Sequence, residues 1–124
     1  MKKILMSLIW GALLTACASL AAAQVPGCAA GTHCALLTWT DTLNPTGTTY
    51  NVYRATGLCS GTPTFAKIAT AVAALTYTDK TVTTGNYCFG VTATLNGIES
   101  AMSPTVLAPV PAFVPGQVQL GGVQ

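Results

Sequence analysis

The chain has 124 residues, a formal charge of +2 from five Lys and Arg against three Asp and Glu, and 51% hydrophobic but only 6% charged residues. That length holds one domain with a modest core. So few cations exclude the run of phosphate contacts that nucleic-acid binding requires, and three carboxylates are too few to populate acid and base roles comfortably.

Taken in order, Lys2 and Lys3 precede an uncharged apolar run from Ile4 to about Leu20, then Ala21, Ala22, Ala23 and Gln24. This is the pattern of a secretory signal, residues 1–23, cut after Ala23. Leu14-Thr15-Ala16-Cys17 also resembles a bacterial lipobox, in which Cys17 would be acylated and become the new N-terminus. Ala18 to Ala23 stay apolar, unlike a polar lipoprotein tether, so soluble export is the favoured reading. A retained apolar anchor is a third alternative, since the run is just long enough. Removing the signal removes Lys2 and Lys3 and leaves Arg54, Lys67 and Lys80 against Asp41, Asp79 and Glu99. The mature surface is then neutral. It has no grip on an anionic membrane apart from a lipid at Cys17, and it is prone to self-association.

Residues 24–31 form an N-terminal segment broken by Pro26, Gly27 and Gly31, which holds at most a weak first strand. Cys34 to Thr40 reads as a strand with Leu37 and Trp39 on one face. After a loop with Asn44, Pro45 and Gly47, Thr49 to Ala55 is the next strand, with Tyr50 and Val52 inward and Asn51 and Tyr53 outward. Thr56 to Pro63 is a loop containing Cys59. Short strands follow at Thr64 to Thr70 and Leu75 to Thr78, then a turn from Asp79 to Gly85. Tyr87 to Leu95 is the longest strand, with Tyr87, Phe89 and Val91 alternating. Asn96-Gly97 is a hairpin signal, and Ile98 to Val110 supplies the last strand. No segment offers a helical period, so the fold class is all-β.

Residues 112–124 form a C-terminal tail in which three Gly and Pro115 resist packing, so flexibility is expected. Val118 and Leu120 nevertheless alternate with Gln117 and Gln119, a pattern able to add a strand to an open sheet edge.

Leu37 with Trp39, the Tyr50-Asn51-Val52-Tyr53-Arg54 segment, and the alternating Tyr87, Phe89, Val91 and Ala93 together resemble the fibronectin type III family over residues 32–111. Glu99-Ser100-Ala101-Met102-Ser103 resembles that family's segment entering the last strand. The resemblance implies a single β-sandwich of about seven antiparallel strands, with Tyr87 as a corner tyrosine hydrogen-bonding to upstream backbone. The weak first strand departs from the family. The resemblance says almost nothing about activity.

Without Cys17, four cysteines remain: Cys28, Cys34, Cys59 and Cys88. In an oxidising compartment these read as two disulfides with three possible connectivities. The favoured pairing is Cys28 with Cys34, across a Gly-containing turn, and Cys59 with Cys88, joining a loop to the Tyr87 strand. On the loop-entropy model the two closures contribute about 2.4 and about 3.7 kcal/mol.

Chemistry is thin. His33 is the sole histidine, and cysteines engaged in disulfides leave it without partner ligands, so no metal and no cofactor are expected. No nucleophile has a base and an orienting group, and no Gly-x-Ser-x-Gly elbow or phosphate-binding Gly run occurs. The chain is expected to be no enzyme but a secreted, periplasmic or cell-surface structural or protein-interaction module. Two alternatives stand beside it. One is a carbohydrate-binding accessory domain contacting a polysaccharide through Asn51, Tyr53 and Arg54, because exposed aromatic and Arg side chains concentrate binding energy. The other is a filament subunit that uses its C-terminal tail as a donor strand.

Overall fold

The computed structural model describes residues 12–18, 28, 29 and 31–112. Eight strands occur among the described residues: β1 (Ala12–Ala18), β2 (Ala35–Asp41), β3 (Thr49–Thr56), β4 (Ala66–Val72), β5 (Thr76–Asp79), β6 (Gly85–Leu95), β7 (Ile98–Glu99) and β8 (Val106–Val110). They form two antiparallel sheets. One has the order β1-β2-β5; the other runs β4-β3-β6-β7, with β8 also paired to β6. There is no helix among the described residues, and none long and apolar enough to cross a membrane.

The period of two in the sequence becomes the two faces of each strand. Leu37, Trp39, Tyr50, Val52, Tyr87, Phe89 and Val91 are all buried and pack in one cluster with Ala35, Val82, Ala93, Ala108 and Val110. The edge of one ring meets the other where Trp39 and Tyr50 cross at 5.5 Å between centroids. Each large apolar side chain so buried contributes about 1.5–3 kcal/mol through removal of its surface from water. The Tyr50 hydroxyl leaves the apolar cluster to donate to Asp41 Oδ2 at 2.7 Å. Burial first, then that hydrogen bond and the carboxylate's charge, push this phenol well above its ordinary pKa. Asp41 Oδ1 in turn accepts the N–H groups of Leu43 and Asn44, which fixes the turn leaving β2.

The Tyr87 hydroxyl accepts the N–H of Thr83 at 3.1 Å, closing the corner four residues upstream. Hydrogen bonds from the Thr83 side chain and backbone lower the Tyr87 pKa. Cys28 is bonded to Cys34, and Cys59 to Cys88, the pairing favoured above. Cys88 lies on the face of β6 opposite Tyr87 and Phe89, where it reaches the loop after β3 without entering the aromatic core.

Three features differ from the sequence expectations. The last strand is broken between Glu99 and Val106. There the hydroxyls of Ser100 and Ser103 accept the backbone N–H groups of Ala93 and Val91, at 2.9 and 3.1 Å, while the N–H groups of the two serines donate to the carbonyls of the same residues. Side-chain oxygens thus replace strand carbonyls, and the chain arches away between them. Leaving the turn, Asn96 and Gly97 adopt positive φ of 51° and 77°, the geometry of a hairpin turn whose twist matches its strands.

The second difference lies at the N-terminal side. A weak strand was expected near residues 25–32, of which 25–27 and 30 fall outside the described residues. Instead β1 fills the edge beside β2, in register from Ala12 opposite Asp41 to Ala18 opposite Ala35. These residues belong to the apolar run read as the export signal; the rest of residues 1–23 lies outside the described part. An uncharged segment of Ala, Leu and Thr satisfies an open β edge as readily as it satisfies an export signal. The proposed donor segment Gln117 to Leu120 also lies outside the described residues.

The third is the β3–β4 ladder, which carries register shifts around Val52, and Ala71 in β4 has a φ of 55°. The distortion has a local cause: Asn51 Oδ1 takes the Ala71 N–H at 3.2 Å, a side-chain bond standing where a ladder bond would run.

Candidate functional site

The outward face of the five-stranded sheet gathers the densest group of polar side chains. Asn51 and Tyr53 come from β3, Lys67 from β4, Thr92 and Thr94 from β6, and Glu99 from β7. Parity brings them together, because Asn51 stands opposite Thr92 and Tyr53 opposite Gly90, and the hairpin returns Glu99 to a position opposite Thr94.

The group is internally connected. Asn51 Nδ2 donates to Thr94 Oγ1 at 3.1 Å and to Thr92 Oγ1 at 3.4 Å. Thr92 Oγ1 donates to Glu99 Oε1 at 2.6 Å, and the Tyr53 hydroxyl donates to the same carboxylate oxygen. Lys67 Nζ donates to Glu99 Oε2 at 3.1 Å and sits 5.4 Å from the centre of the Tyr53 ring. Partial burial pushes the Glu99 carboxyl up, but bonds from Thr92, Tyr53, Asn51 and Lys67 outweigh it and hold the pKa at about 2. Hydrogen bonds to Tyr53 and Glu99 raise the Lys67 pKa in return.

The trio suggested for a polysaccharide contact is not assembled. Asn51 is buried at 5% exposure, with its amide taken by the two threonines and Ala71. Tyr53 is half-buried, its hydroxyl tied to Glu99 and one ring face under Lys67. Arg54 has the opposite parity and points the other way. Its Nη1 reaches Asp79 Oδ2 and Thr81 Oγ1, both at 2.7 Å, while the guanidinium lies over the Tyr87 ring at 5.3 Å. Grouping the three residues by chemistry overlooked the alternation that separates residue 54 from residues 51 and 53.

Lys67, Thr92, Thr94 and Glu99 were not singled out from sequence. The signal was present for the threonines, since placing Phe89 and Val91 inward places Thr92 and Thr94 outward beside Asn51. Chemically the cluster offers a carboxylate already saturated with donors, and no nucleophile paired with a base. His33 Nε2 lies 3.0 Å from the carbonyl oxygen of Pro111, which pins the start of β2 to the end of β8. Among the described residues no three of His, Cys, Asp and Glu converge as a metal site would require.

No protein-family model matches the chain, and no curated protein matches it. Among solved structures, it is similar to a fibronectin type III-like protein from Clostridium thermocellum, with 30% identity over 70% of this chain and 86% of that one and a TM-score of 0.53. The paired sheets, the corner tyrosine and the indole beneath them agree with that likeness, and the chain belongs to the fibronectin type III-like family.

Proposed function

We propose that this chain is an exported, non-catalytic structural or protein-interaction module, working in the periplasm, on the cell surface or outside the cell. One observation carries the reading: each of the three carboxylates outside the leader is engaged in holding strands and turns together. Asp41 binds Tyr50 and the turn after β2, Asp79 binds Arg54 and Thr81, and Glu99 gathers the outer face of the larger sheet. A group occupied in this way is not free to move protons or bind a cation. Two disulfides in a domain of this size suit an oxidising compartment. Surface and filament roles fit a neutral surface rich in Thr, Ala and Gly.

Intact mass spectrometry of the protein recovered from the exported fraction of a bacterial host tests the reading. The expected mass is that of residues 24–124 less four thiol hydrogens, or that of a diacylated or triacylated chain starting at Cys17. An exported protein with four free thiols, or one that still carries residues 1–23, would overturn it.

A further inference from the structure

Two of the sandwich's edges are treated differently. The β4 edge carries the defences that keep a sheet from pairing with a neighbour: Lys67 near its start, register shifts, and left-handed Ala71. The β2 edge has none of these. Ala35 to Thr40 has no charge, no Pro and no Gly, and the register with β1 runs unbroken from Ala35 to Asp41. Trp39 N–H points to the other side, donating to the Leu75 carbonyl, so by alternation Leu36, Thr38 and Thr40 present their backbone groups to β1. Beneath this edge lie Leu37 and Trp39 of the core.

β1 lies wholly within the leader, so cleavage after Ala23 takes it away, and cleavage before Cys17 takes all but two of its residues. Resting on the export reading above, we propose that the processed domain accepts, in the place of β1, the C-terminal segment Gln117 to Val123 of a second copy of this chain. The segment is uncharged and alternates Gln117, Val118, Gln119 and Leu120. It can lay one apolar row over the core and one polar row toward water, as a strand on this edge must.

The geometry favours a second copy over the chain's own tail. Pro111 lies beside His33, at the end of the edge where β2 begins. To pair antiparallel as β1 does, the chain's own tail must first cross the full edge, about 20 Å for seven residues, before it can turn back. The residues between Pro111 and Gln117 span about that distance only when fully extended, and they include Pro115 and Gly116. Running parallel instead, the tail brings Pro115 opposite the middle of β2, where its missing N–H breaks the ladder, and carries Leu120 past the end. A neighbour's tail has neither constraint. Each copy gives a strand at one site and accepts one at another, so the contact is head-to-tail and propagates.

The test uses protein purified from the exported fraction, its processing read by intact mass, with sedimentation velocity over a concentration series and amide exchange by NMR. A Gln117→Pro, Gln119→Pro double variant removes two ladder donors outside the described fold, since the polar row stands opposite Leu36, Thr38 and Thr40 and turns its N–H groups to β2. The expected result is concentration-dependent association of the processed wild type, lost in the variant. Leu36 and Thr40 amides should be protected in the wild type and exchange freely in the variant, while Phe89 and Val91 stay protected in both. A processed wild type that remains monomeric at every concentration, or a variant that associates equally well, overturns the donor-strand contact and leaves export standing. Retention of residues 1–23 overturns both, and the mass distinguishes the two failures.

Discussion

Arg54 Nη1 and Asp79 Oδ2 lie 2.7 Å apart and join the two sheets, one residue in β3 and the other at the end of β5. Asp79 is 1% exposed and also accepts the Thr81 N–H and hydroxyl on its second oxygen, so it is fully hydrogen-bonded. The Arg54 side chain is 23% exposed and stacked over Tyr87. The carboxylate is thus the deeper partner.

Breaking this pair should be costly from the arginine side. Arg54→Ala leaves a buried carboxylate with only neutral donors, and removing one member of a buried pair costs about 3–5 kcal/mol, reduced here because Arg54 is partly solvated. Asp79→Ala should cost about 2–4 kcal/mol, since it also frees the Thr81 donors. A double-mutant cycle by urea unfolding should give a coupling of at least about 1 kcal/mol. Strictly additive losses would mean that the bridge contributes nothing.

Glu99 gives the domain an acid limb. Its folded pKa of about 2 lies below the ordinary 4.5, so its stabilising effect is complete above pH 4.5 and fades as pH falls toward 2. The carboxylate is one-third exposed, so solvent screens part of the effect. Urea midpoints measured across that window should drop in the wild type, and the drop should be shallower in Glu99→Gln. Parallel curves for the two proteins would show that Glu99 does not set the acid limb.

The two disulfides should differ in weight. Replacing Cys59 and Cys88 together by Ala opens a closure between positions separated by 29, against a separation of 6 for Cys28 and Cys34. Chain entropy alone predicts losses of about 3.7 and about 2.4 kcal/mol. Cys88 is also fully buried, at 0% exposure, whereas Cys28 sits at the margin of burial, which widens the gap. Equal midpoints for the two double variants in urea would show that loop size does not set the ranking.

The sandwich was legible because a period of two survives in β2, β3 and β6: once Trp39, Tyr50 and Phe89 are set inward, the remaining core and the outer Asn51 and Thr92 follow. The cysteine pairing was legible because Cys88 sits between two core positions and so faces a loop. The break before β8 was not. Ser100 and Ser103 replace carbonyls with hydroxyls, and alternation carries no trace of that exchange. Neither was β1, because the same absence of charge that marks an export segment also makes a good edge strand. Arg54 was misassigned for a simpler reason: its partner Asp79 is 25 residues away and in the other sheet, so no local pattern announces it.

Gly90 explains how the arch between Ser100 and Ser103 is seated. A Cβ at this position would lie 2.7 Å from Met102 Cγ and 3.4 Å from Thr105 Cγ2, closer to the methionine than packed atoms come. The missing side chain on β6 is therefore the floor on which Met102 rests while the two serines hold the strand on either side. Gly90→Ala should destabilise by about 1–3 kcal/mol, the usual range for overpacking, because the Met102 Sδ and Cγ atoms must leave their place against β6. In a Met102→Ala background the obstacle is gone. Gly90→Ala should then be neutral or stabilising by up to about 1 kcal/mol, since alanine loses less backbone freedom on entering a strand. Thermal unfolding of the four proteins in this cycle measures the difference directly. An equal loss from Gly90→Ala in both backgrounds would show that backbone geometry, and not contact with Met102, requires the glycine.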